Sequence, residues 1–116
     1  MIDKPLESDW KSFSKHVPDW RERYLARKNK EIVAMLENNG KTPTEIFWDT
    51  KQFIKDEAKI LTSCLDGHSR SKMTLSLQLM FRYGLIGEAD LAEFSEELRE
   101  IILSINREFG NREDGT

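Results

Sequence analysis

The 116-residue chain has one cysteine, two histidines, three prolines and no long apolar run, and each scarcity excludes something. A lone thiol, Cys64, cannot form an intramolecular disulfide. With only two histidines it cannot supply a structural zinc site either, so no metal and no cofactor is expected. Cys64 falls among apolar positions and reads as a small buried hydrophobe. No stretch approaches the roughly 20 apolar residues that span a bilayer, and the polar N-terminus does not read as a signal peptide. The expectation is a soluble cytoplasmic protein with no membrane contact.

Catalytic signatures are missing too. There is no Gly-rich phosphate loop, no cluster of metal ligands and no His–Glu helix motif. Asp66, His68 and Ser69 are the residue types of a nucleophilic triad, but they crowd into one turn, where the mutual geometry of a triad is not available. The carboxylates toward the C-terminus read as a solvated face rather than a cleft with perturbed acids. No residue is assigned a catalytic role, and an enzyme is not expected. Internal repeats and low-complexity segments are also absent.

What is present suits one helical domain over residues 1–116, with flexible ends at 1–7 and 110–116. Apolar residues make up 38% of the chain and charged ones 34%, with a net charge of −3. That sign argues against a general polyanion binder. The charge is unevenly placed, however. Residues 11–30 hold seven bases and two acids, whereas residues 87–116 hold nine acids and three bases. The two regions are able to attract each other, within one chain or between two.

Periodicity predicts an all-α fold of four main helices plus a short N-terminal one, arranged as an antiparallel bundle with the third main helix buried. The short helix runs from Asp9 to His16 behind a Ser8 cap and ends at Pro18, which suits the first turn of the next helix. That helix continues to Glu37, and Asn38-Asn39-Gly40 is a turn. Thr42-Pro43-Thr44-Glu45 then places Thr at the cap, Pro at the first helical position and Glu at the third, the pattern of a capping box. Ile46 with Phe47, Phe53 with Ile54, and Ile60 with Leu61 recur at seven-residue steps, as in a bundle seam. Trp48 lies off that seam, either as a surface contact or packed under the first helix. Gly67 closes this helix.

The chain is organised around the next stretch. Met73, Leu75, Leu77, Leu79, Met80 and Phe81 alternate with uncharged Thr74, Ser76 and Gln78, which reads as a helix apolar on most of its circumference. The strict alternation also fits a strand, but no second strand-like run exists to pair with it. Gly84 is the expected C-terminal cap. The last helix starts near Gly87, stapled by Ile86 and Leu91, and carries Phe94, Leu98, Ile101, Ile102, Ile105 and Phe109 on one face.

Two candidate sites emerge. At the start of the central helix, His68, Ser69, Arg70 and Lys72 put cations where the helix end is already positive, so an anion is expected there. It is either a phosphate-bearing ligand or a carboxylate of the same protein, and the acidic C-terminal region favours the carboxylate. In the second helix, Arg21, Arg23, Arg27, Lys28 and Lys30 are interleaved with Trp20 and Tyr24. Such a face can bind nucleic acid through phosphates and stacking. Alternatively it is a solvated face whose long stems cover apolar surface, and Glu22 and Glu31 favour that. The seam, the apolar central helix and the opposed charges together point to a non-catalytic protein–protein interaction module, a small self-associating regulator or adaptor that forms homodimers. The alternative is a nucleic-acid-binding regulator using the basic helix 21–30 and the helix start at 68–72.

Overall fold

The computed structural model describes residues 6–65 and 69–104, and among these the chain is helical with no strand. Four helices follow one another: α1, Glu7–Leu36; α2, Pro43–Leu65; α3, Met73–Arg82; and α4, residues 96–104. Single 3-10 turns occupy Arg70–Lys72 and Glu88–Leu91. Consecutive helices pack on each other: α1 on α2, and α2 on α3.

The expected short N-terminal helix does not exist as a separate element. One unbroken helix, α1, runs through Pro18. Proline removes one backbone hydrogen bond from a helix and crowds the carbonyl four residues back. Packing overrides this. Phe13, Val17, Trp20 and Tyr24 fall on one stripe that crosses the proline, and all four are buried. Pro18 itself faces solvent, where water can serve the freed carbonyl. Leu6, not Ser8, precedes the first turn, and it makes no side-chain cap. The flexibility expected of residues 1–5 and 110–116 lies outside the described residues, as do Asp66, Gly67, His68, Ile105 and Phe109; Glu7 is helical.

The capping box at α2 is present. Glu45 N–H donates to Thr42 Oγ1 at 3.1 Å, and Thr42 N–H donates to Glu45 Oε1 at 2.9 Å. At the end of α3, Gly84 adopts φ +84°. Its N–H reaches Phe81 O, while Leu85 N–H reaches Met80 O at 2.8 Å. This is the paired closure that favours glycine in the left-handed region.

α3 differs from expectation in two ways. It is preceded by the 3-10 turn Arg70–Lys72 rather than starting at a Ser69 cap; the Ser69 hydroxyl meets that of Ser71 instead. It is also buried on one side only. Met73, Leu77 and Met80 are fully enclosed, but Leu75 is 56% exposed. The last helix begins later than Gly87. Residues 88–94 form the 3-10 turn and a loop, and Ser95 starts α4 by accepting Leu98 N–H on its Oγ at 3.3 Å.

The buried core gathers at one end of the molecule. It takes Phe13, Val17, Trp20 and Tyr24 from α1, Cys64 from α2, Met73, Leu77 and Met80 from α3, and Leu85, Ile86, Leu91, Phe94, Leu98 and Ile102. The remainder of α1 and the first part of α2 extend beyond it as a two-helix hairpin. The twelve residues after Tyr24 carry α1 about 18 Å past the last core position. Extents of 52 × 31 × 22 Å and a radius of gyration of 16.6 Å record the elongation. A compact chain of this length would have about 13 Å.

Candidate functional site

Three basic residues of α1, Arg23, Arg27 and Lys28, have partners within the chain. Arg23 donates to both carboxylate oxygens of Asp90, at 3.0 and 2.7 Å, and to Leu85 O at 3.0 Å. Arg27 donates to Gly84 O at 2.6 Å and lies over the Tyr24 ring. Lys28 pairs with Glu31 and Glu57 and sits over Tyr24 and Phe53. Arg21 contacts Glu22 at 3.4 Å, and Lys30 is exposed. A guanidinium occupied by a carboxylate and a carbonyl has few donors left for a phosphate.

These contacts belong to a ladder that sequence reasoning missed. Asp9, His16 and Arg23 stand seven residues apart on α1, hence on one stripe. Each holds a residue of the loop before α4. The buried Asp9 carboxylate accepts Ser95 N–H at 2.8 Å and the Ser95 hydroxyl at 2.7 Å. The His16 ring meets the Glu93 carboxylate while stacking on Trp20. Arg23 takes Asp90. The seven-residue spacing of polar residues was visible in the sequence, but their partners are remote and irregular. Burial by itself would raise the Asp90 carboxyl; hydrogen bonds from Arg23 and the Gly87 N–H, with the Arg23 charge, outweigh it and hold the group below the usual carboxylate range. Tyr24 donates to Glu57, and burial with that bond pushes the phenol well above its ordinary value.

At the other candidate site, Arg70 donates to Glu7 at 2.9 Å and lies over the Trp10 ring. Its carboxylate partner thus comes from the first turn of α1. Lys72 is exposed and Ser69 half-buried, while His68 lies outside the described residues. Among the described residues no group of three His, Cys, Asp or Glu is placed to hold a metal. Nor is any helix among them long and apolar enough to cross a membrane.

No family model, no curated protein and no solved structure matches the chain.

The molecular surface is least ordinary on the hairpin. Val33 and Leu36 of α1 and Phe47, Trp48 and Ile54 of α2 are large apolar side chains left exposed, Phe47 by 63% and Trp48 by 55%. Leu36, Phe47, Thr50, Lys51 and Ile54 line a groove between the two helices. Phe47 and Trp48 pack edge to face, and Lys51 caps the Trp48 ring at 5.0 Å. Leu36, Phe47 and Ile54 open into that groove, while Val33 and Trp48 are exposed on the same two helices. The seven-residue pairs of α2 account for the pattern. Ile60 and Leu61 pack against the core. Ile54 and Phe47 continue the same stripe past the core's edge, where nothing among the described residues covers them.

Proposed function

We propose that the chain is a non-catalytic, cytoplasmic interaction module that self-associates through the α1–α2 hairpin. The observation that carries this reading is the exposed apolar face of Val33, Leu36, Phe47, Trp48 and Ile54 on an extension that the core does not need. Two hairpins laid face to face form a four-helix bundle, which buries what each leaves open. In the same reading, the four helices of one copy form an up-and-down antiparallel arrangement at the core end, as short connections favour. A regulator or adaptor that works by presenting or withholding its core end as a pair fits such a molecule.

Sedimentation equilibrium tests the proposal. A homodimer is expected at micromolar concentration. Phe47→Glu and Ile54→Glu should each give monomers with unchanged helical content, since neither side chain contributes to the core. Monomer mass across the range, or a dimer indifferent to both changes, overturns the reading.

A further inference from the structure

The turn that joins α1 to α2 carries chemistry that the interaction reading does not use. Asn39-Gly40 is the one Asn-Gly pair in the sequence, and it sits at the far tip of the hairpin. Residues 36–45 are all exposed, and among the described residues no side-chain partner holds Asn39. Glycine is not required at position 40 for its backbone shape, since among the described residues only Gly84 has a positive φ. A side chain added at Gly40 would instead press on Asn38 Oδ1, 3.2 Å from its first carbon. What the missing side chain leaves open is the approach of the Gly40 nitrogen to its neighbour.

We infer that Asn39-Gly40 is a site of spontaneous covalent modification through a succinimide, and that Asn38 restrains the reaction. The Gly40 backbone nitrogen gives its proton to water or hydroxide and attacks Cγ of Asn39. An N–Cγ bond forms, the Cγ–Nδ2 bond breaks, and the amide nitrogen leaves as ammonia with a proton from solvent. Water then adds to either carbonyl of the five-membered ring. Opening at Cγ gives aspartate at position 39. Opening at the original peptide carbonyl gives an isoaspartyl linkage, with the main chain running through Cγ. Nothing is oxidised or reduced, and water is the sole co-reactant.

The restraint is a hydrogen bond on the attacking nitrogen. Gly40 N–H donates to Asn38 Oδ1 at 2.7 Å. An N–H held by an acceptor gives up its proton less readily, and this one must release Asn38 before it turns toward Asn39. The Asn38 side chain is itself placed, in a small hollow lined by Met35, Lys41, Ile46 and Asp49. Asn29 provides the contrast. It is also exposed, but it lies inside α1, where the N–H that follows it belongs to the helical hydrogen-bond pattern. The product adds a carboxylate just past the end of α1. That helix end carries partial negative charge, has no basic residue in its last turn and already has Glu37 beside it. The site does not depend on self-association.

The test incubates the folded 116-residue chain in mildly alkaline buffer beside a synthetic peptide of residues 31–41, which serves as the clock. Peptide mapping by mass spectrometry reads the amide-to-acid mass gain at each asparagine. The Asp-Gly pairs at 66–67 and 114–115 isomerise without that gain and do not enter the readout. The expected result is loss of the Asn39 amide in the folded chain with Asn29 intact. Loss should quicken as pH rises, because the nitrogen must be deprotonated, and the aged fraction should bind more tightly to an anion exchanger. Asn38→Ala should speed the loss roughly fivefold, the factor equivalent to one net hydrogen bond. Gly40→Ala should nearly stop it. Full retention of the Asn39 amide after the peptide has lost its own overturns the site. Equal rates in wild type and Asn38→Ala overturn the restraint. Loss at Asn29 in step with Asn39 overturns both, since it traces the reaction to unfolded chain.

Discussion

At the scale of single residues, buried polar groups decide more than exposed charges. Asp9 is the clearest case, because its carboxylate serves the backbone and hydroxyl that start α4. Asp9→Ala removes both bonds and should cost about 3 kcal/mol, read as a lowered urea midpoint. Ser95 would then cap α4 without anything holding it to α1. Thr42→Ala is milder, about 1 kcal/mol, because the exposed capping box loses its hydroxyl but water replaces it. Its melting temperature should drop by several degrees. Arg70 with Glu7 is milder still. That pair is more than half exposed on both sides, and such pairs contribute a few tenths of a kcal/mol.

Asp90 gives the molecule a defined acid sensitivity. Its carboxyl titrates lower in the folded chain than in the unfolded one, where the ordinary value is about 3.9. Above that value both states are ionised and the pair with Arg23 contributes in full. As pH falls through the folded value the proton enters and the contribution disappears. Urea midpoints of wild type should therefore fall more steeply below about pH 4 than those of Asp90→Asn. Parallel curves for the two proteins would show that the pair does not stabilise the fold. Cys64 supplies a separate reading of integrity. Burial pushes its thiol up to about 11, so it is protonated and enclosed at neutral pH. Iodoacetamide should modify it slowly in buffer and rapidly in urea.

At the scale of elements, α1 shows how tertiary contacts overrule a local breaker. Proline in a helix interior costs about 3 kcal/mol relative to alanine. The stripe Phe13–Val17–Trp20–Tyr24 and the ladder Asp9–His16–Arg23 both span it, and neither survives if the helix breaks at Pro18. Pro18→Ala should accordingly stabilise the protein by about 1–2 kcal/mol, the full difference being reduced by the greater freedom of the unfolded chain. A loss of stability on thermal melting would mean that the proline sets the bend on which the ladder depends. The loop of residues 84–95 behaves in the opposite way. It has little helical hydrogen bonding of its own and is held from outside by Arg23, Arg27, His16 and Asp9. That is why a staple at Ile86 and Leu91 was a poor guide to where α4 starts. The motif's apolar residues are buried, but against the core rather than on a helix.

At the scale of the whole molecule, the opposed charges of the two regions are used internally. Arg23 meets Asp90, so part of the attraction legible in the sequence fastens the loop to α1. Of the cations the nucleic-acid reading would use, Arg23, Arg27 and Lys28 have partners within the chain, while Lys30 and Lys72 are exposed. Titration with a short oligonucleotide at low salt should show no saturable binding, and Arg70→Ala with Lys72→Ala should change nothing in that titration. Salt-sensitive binding abolished by the double change would reinstate it.

Helix content, the capping box at Thr42, the left-handed closure at Gly84 and the seven-residue stripe of α2 were all determined by the sequence itself. Each depends on residues within a turn or two of one another, where spacing and side-chain chemistry suffice. Three features were decided only by tertiary structure: the passage of α1 through Pro18, the late start of α4 at Ser95, and which half of the α2 stripe stays uncovered. All three turn on partners far apart in the chain. A proline is tolerated when packing on both sides of it outweighs a lost hydrogen bond, and a helix start moves when a remote carboxylate offers its cap a better site. Whether Phe47 and Ile54 meet a neighbour depends on where the core ends, which periodicity along one helix cannot express.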